Sequence, residues 1–162
     1  MRKIDKLFSE YGESHQNSLN KAIHFLAVPL IYFSIVGLVA SIPADFLKGL
    51  VPTSMPELLP YAHFATLFSI LILILFYMRL SLVITIGMAI LSAVSIVGCH
   101  YIATFAPLWQ VSLVIFIVSW IFQFYGHKVE GKKPSFLKDL QFLLVGPAWV
   151  MSFLFAKIGI KY

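Results

Sequence analysis

Apolar positions along this chain follow two patterns. In MRKIDKLFSEYGESHQ, Ile4, Leu7, Phe8, Tyr11 and His15 recur at helical spacing, with Lys3, Lys6, Glu10 and Glu13 largely elsewhere. This predicts an amphipathic helix within residues 1–17, lying in a membrane interface. Gly12 is its weak point, because an interior glycine costs about 1 kcal/mol against alanine. Asn17 or Ser18 then offers a cap for the next helix. The later runs have no polar face. They predict membrane spans at about 21–42, 58–78, 80–102 and 107–126, and a last apolar stretch at 140–160 that Gly146 and Pro147 interrupt. That stretch reads equally as a kinked fifth span or a re-entrant segment. Pro29 predicts a kink or packing point, Pro43, Pro52, Pro56 and Pro60 a loop, and the lone Arg79 a tight hairpin between spans two and three. The expected fold is all-α: one domain over 1–162, a polytopic helical membrane bundle of four to five spans with an N-terminal interfacial helix.

Composition agrees. Of the 162 residues, 60% are hydrophobic and 12% charged, where a soluble domain carries about a quarter charged; the mean hydropathy is +0.91. The single cysteine, Cys99, excludes an intrachain disulfide framework and any Cys-x-x-Cys motif. The net charge of +5 does not point to nucleic acid, because the basic residues flank apolar segments, as membrane orientation and anionic headgroups require. Asp5, Glu10 and Glu13 ahead of the first apolar run do not suit a cleaved signal peptide. With alternating spans, one side carries Arg2, Lys3, Lys6, Lys21, Arg79, Lys128, Lys132, Lys133 and Lys138, nine of the twelve cations. The N-terminus is therefore expected in the cytoplasm, in a bacterial inner membrane or, in a eukaryote, the endoplasmic reticulum.

The same alternation brings His15 and His24 to the membrane face where span four ends in SWIFQFYGHKVEGKKP. His15 and His24 are nine residues apart, half a turn out of register on one straight helix. They can share a ligand only if the helix breaks between them, and QNS supplies the break. Asn20 faces the same way as His24, and Gln123, His127 and Glu130 form one stripe. Imidazoles with a carboxylate suit Zn, Fe, Mn or Ni, and open positions on such a set suit oxygen chemistry at Fe(II). Asn17, Asn20 and Gln123 are placed to orient the imidazoles. The plainer reading is that each histidine bonds only headgroup, backbone or water, in a non-catalytic protein that binds lipid or scaffolds partners. His63 and His100, at the opposite face, read as caps or pairs; Arg79 reads as a snorkelling anchor and Trp109, Trp120 and Trp149 as an aromatic belt. No nucleophile turn or phosphate-binding glycine loop is present. With only Glu57 as an acid near a span end, a proton relay lacks carriers.

Two of these segments carry a resemblance. Tyr11-x3-His15-x-Asn17-x2-Asn20-x3-His24, followed by Val28-Pro29, and Trp120-Ile-Phe-Gln-Phe-x-Gly-His127-x-Val129, with a later Glu130 and Pro134, are similar to the 2-hydroxy fatty acid dioxygenase family. The likeness runs from about Tyr11 to Trp149 and includes the late Gly146-Pro147. It implies an Fe(II)-dependent membrane enzyme that uses O2 to shorten a 2-hydroxy fatty acid by one carbon. The motif histidines are His15, His24 and His127, and the acidic residue Glu130 follows His127 by three, one residue closer than in the fungal pattern. The resemblance thus implies His15, His24, His127 and Glu130 as metal ligands, with His127 and Glu130 also catalytic. Lys132 or Lys133 would meet the substrate carboxylate, although a basic loop is ordinarily just solvated.

Overall fold

The computed structural model describes residues 1–135 and 140–162; Lys138, one of the nine cations counted above, lies outside the described residues. Among those described, the regular elements are all helical: α1 (Lys3–Gly12), α2 (Ser18–Ala40), the short α3 (Asp45–Lys48), a 3-10 turn (Pro56–Tyr61), α4 (Phe64–Ile72) continued by a π-helical turn (Leu73–Tyr77), α5 (Leu82–Ala103), α6 (Leu108–Glu130) and α7 (Phe142–Lys157). Three of them, α2, α5 and α6, are long and apolar enough to cross a membrane; α4 with its π turn and α7 are shorter apolar helices. The 23 residues of α2 cover roughly 35 Å, enough for a hydrocarbon core of about 30 Å.

The bundle turns small and polar side chains inward and large apolar ones outward. Ser92 and Ser95 of α5 and Ser112 and Ser119 of α6 are buried, while Ile86, Ile90, Val94 and Val97 of α5 and Val114, Ile117 and Ile121 of α6 are exposed. That polarity is expected where lipid is the solvent, because helices there associate through close packing and hydrogen bonds rather than hydrophobic burial. α2 sits centrally, packed mainly on α6 and also on α4, α5 and α7. Its approach to α6 depends on missing side chains. A Cβ on Gly126 would overlap Asn20 Oδ1, and one on Gly37 would overlap Ser112. The Tyr32 hydroxyl and Ser92 Oγ, 2.6 Å apart, tie α2 to α5.

α1 stops at Gly12, and Asn17 caps α2 by accepting from the Leu19 and Asn20 amides. The apolar face of α1 does not meet lipid. Ile4, Leu7, Phe8 and Tyr11 are buried, and α1 packs on α7. Trp149 is likewise buried in the core instead of joining an aromatic belt. α2 runs unbroken through Pro29, and α7 through Gly146 and Pro147. In α7, Tyr77 Oη donates to the Leu144 carbonyl at 2.8 Å, next to the Leu143 carbonyl that Pro147 deprives of its helical amide.

A candidate metal centre built from three imidazoles

The N-terminus of α2 and the C-terminus of α6 lie at the same end of the bundle, and the five residues between α1 and α2 cross it. His15 comes from that crossing, His24 from the second turn of α2 and His127 from the last turn of α6. All three are buried, at 0%, 1% and 6% exposure. Their ring centroids lie 4.2 Å (His15–His24), 5.0 Å (His15–His127) and 4.8 Å (His24–His127) apart, each pair edge to face. One nitrogen from each ring falls within 4.8 Å of the others.

Backbone carbonyls set the tautomers of two rings. His15 Nδ1 lies 2.6 Å from the Tyr11 carbonyl and His24 Nδ1 2.9 Å from the Asn20 carbonyl, each four residues upstream. A carbonyl only accepts, so both Nδ1 atoms carry the proton and both Nε2 atoms present a lone pair. Those two Nε2 atoms, and Nδ1 of His127, are buried without a hydrogen-bond partner. Unpartnered buried nitrogens are costly, and three of them together fit a cation that accepts lone pairs. A ring whose other N–H is fixed by a carbonyl is the arrangement metal-binding histidines show. Three protein ligands, with positions left for water or substrate, characterise catalytic rather than structural sites. Burial pushes the His15 imidazole down to about 4 against the pull of its bond to the Tyr11 carbonyl, which keeps the ring neutral and able to ligate.

Glu130 is not in this group. Its carboxylate accepts from the Gln16 amide (2.9 Å), the Asn17 amide (2.8 Å) and Asn20 Nδ2 (3.1 Å). It clasps the crossing that carries His15 to the end of α6, where Gly131 takes φ 72° and turns the chain away. Asn20 is fully buried and bridges Ser14 O to Glu130. Asn17 is the α2 cap, and Gln123 lies buried beside His24. Lys132 is taken up by the Glu13 carbonyl at 2.7 Å, and Lys133 is exposed. At the other end, His63 caps α4 through the Thr66 amide, and His100 packs edge-on to Tyr61.

A cavity of about 220 Å³ opens from His24 and His127 into the bundle. His24, His127, Tyr11, Gln123 and Ser135 line its polar end; Val28, Ile31, Ile35, Val36, Phe68 and Ile72 line the rest. From His24 to Val36 it follows α2 for roughly 18 Å. In sequence, Tyr11 stands out only as part of an apolar face and a family motif, yet it contributes its carbonyl to His15 and stacks on that ring at 4.2 Å. Its spacing of four from His15 is the signal that could have found it. Burial raises its phenol above the usual tyrosine range.

A helical bundle with membrane-length helices, a three-histidine candidate metal centre and an apolar cavity at that centre defines the class of this protein. The chain belongs to the family described as 2-hydroxy-palmitic acid dioxygenase Mpo1-like, which it matches over residues 1–158, the family its histidine motifs resemble. No curated protein and no solved structure matches it.

Proposed function

We propose that this protein is a membrane dioxygenase that holds Fe(II) through His15, His24 and His127 and shortens 2-hydroxy fatty acids by one carbon. The observation that carries this reading is the convergence of three buried, unpartnered imidazole nitrogens beside an apolar cavity that His24 and His127 line. The family description supplies the substrate class. Written as R–CH(OH)–COOH + O2 → R–COOH + CO2 + H2O, the reaction balances without an outside reductant.

Bound Fe(II) would let O2 react with the closed-shell hydroxy acid, whose own oxidation supplies the four electrons. The chain's own groups do the rest. The Tyr11 and Asn20 carbonyls hold the Nδ1 protons of His15 and His24, so both rings keep their Nε2 lone pairs pointed inward. The cavity walls along α2 take the alkyl chain and exclude water, which leaves the carboxyl end at the imidazoles. Glu130 acts by holding Gln16, Asn17 and Asn20, and through them His15, in register with His127. Lys132 fixes the same crossing through Glu13. The cation distribution supports a cytoplasmic position for this end of the bundle, where a 2-hydroxy acid enters with its chain in the membrane.

Elemental analysis of protein purified without oxygen in mild detergent tests the reading. About one iron per chain is expected, lost in His15→Ala, His24→Ala and His127→Ala, with O2 uptake and a one-carbon-shorter acid formed from 2-hydroxypalmitate. Zinc in place of iron would redirect the chemistry to hydrolysis. A folded protein with no metal above background would overturn the proposal in favour of a non-catalytic lipid-binding protein.

A further inference from the structure

The three imidazoles account for a metal but not for the substrate's charge. Around the imidazoles, the His15 and His24 Nδ1 protons are already committed to carbonyls, Lys132 is exposed and held by the Glu13 carbonyl, and Ser135 Oγ pairs with Ser14 Oγ at 2.7 Å. Tyr32 Oη, farther along, pairs with Ser92. Tyr11 is different. It is 6% exposed, it lines the cavity beside His24 and His127, and its hydroxyl has no hydrogen-bond partner among the described residues. The chain also leaves room for that hydroxyl: a Cβ on Gly146, itself a cavity residue, would lie 2.9 Å from Tyr11 Oη. Stacking on His15 at 4.2 Å and tilting against Trp149 at 5.3 Å hold the ring rigid, so its O–H stands in a fixed direction at the cavity wall.

We infer that the Tyr11 hydroxyl donates a hydrogen bond to the carboxylate of the substrate, with Gly146 opening the space in which the two meet. This rests on the reading of the site given above and adds the residue that recognises the acid end. A phenol suits this role because it is a donor of fixed direction, and its ring already forms the wall behind His15. The inference assigns Tyr11 to substrate binding and leaves the metal to the histidines.

The test is binding of 2-hydroxypalmitate, and of the 1,2-diol of equal chain length, to metal-loaded protein in detergent without oxygen, in wild type and Tyr11→Phe. Metal content and thermal midpoint are measured alongside. Phe keeps the ring and removes only the hydroxyl. The expected result is unchanged metal, acid binding weakened about tenfold to a hundredfold, as for loss of one hydrogen bond to a charged group, and diol binding unchanged. Equal acid binding by both proteins overturns the inference and leaves the proposed function standing. Loss of acid and diol together, or loss of metal, shows Tyr11 to be structural and also overturns it. Wild type that holds metal but binds no 2-hydroxy acid removes the functional reading itself, and the inference with it.

Discussion

Glu130→Ala separates a carboxylate that positions the site from one that ligates in it. The carboxylate receives three donors: the Gln16 amide at 2.9 Å, the Asn17 amide at 2.8 Å and Asn20 Nδ2 at 3.1 Å. The first two bonds are exposed, so water replaces the lost acceptor and each is worth about 0.5–1 kcal/mol. The third is partly buried, but the Asn20 amide keeps Ser14 O as acceptor, so its loss costs a similar amount. A negative charge at the N-terminus of α2 adds about 0.3–1 kcal/mol. The total is roughly 2–4 kcal/mol, which for a chain of this size lowers the thermal midpoint by about 4–16 °C. His15 lies one residue before the clasped Gln16 amide, so releasing the clasp should also weaken metal retention by about 10–100-fold without removing the ligand set. Melting in detergent and chelator competition measure the two effects, and Glu130→Gln, which offers one acceptor oxygen in place of two, should fall between. An unchanged midpoint and affinity would refute the clasp. Complete loss of metal at an unchanged midpoint would show that Glu130 ligates directly.

Gly126→Ala should destabilise the α2–α6 contact by about 1–3 kcal/mol, because the new Cβ has to displace Asn20 Oδ1; a midpoint equal to wild type would count against this packing. His15 titrates at about 4 in the fold and at about 6.5 unfolded. Below 6.5 the unfolded chain takes up the proton first, so the contribution of this site to stability is whole above that pH and is lost as pH falls towards 4. Metal-free protein should therefore lose roughly 2 kcal/mol between pH 6.5 and 5, and a His15→Asn variant with the same pH slope would disprove the assignment. Ile31→Trp fills the cavity beside α2; it should retain metal, lose turnover of long-chain 2-hydroxy acids and keep that of short ones, and kcat/KM across chain length would show otherwise if α2 does not bound the chain.

The parts of this molecule legible in sequence are those that depend on periodicity and on helix breaks. The uniformly apolar runs become α2, α5 and α6. The polar QNS segment becomes the break that lets His15 and His24 meet, and α6 ends beside the start of α2, which brings His127 back to them. The parts that are not legible depend on which partner a face or a group selects. Ile4, Leu7, Phe8 and Tyr11 form an apolar stripe that lipid or protein could satisfy equally, and only the docking of α7 decides for protein. Trp149 reads as a belt residue for the same reason.

Glu130 makes the point at the level of single bonds. Its spacing of three from His127 puts both on one helical face, but spacing fixes a direction to within a side chain's width and says nothing of competing donors. At the end of α6 the carboxylate finds two backbone amides and an amide side chain, all at the start of α2, and a charged acceptor at a helix N-terminus is favoured over one left facing neutral imidazoles. The imidazoles in turn are fixed by carbonyls four residues upstream, a contact that helical spacing encodes directly at Asn20–His24 and repeats at Tyr11–His15 where the helix has already ended. The chain therefore uses one local device twice to aim two rings, and one long-range carboxylate to set the second segment against the third. Rings aimed by local spacing can be found from sequence, whereas the group that holds their segments in register needs the fold.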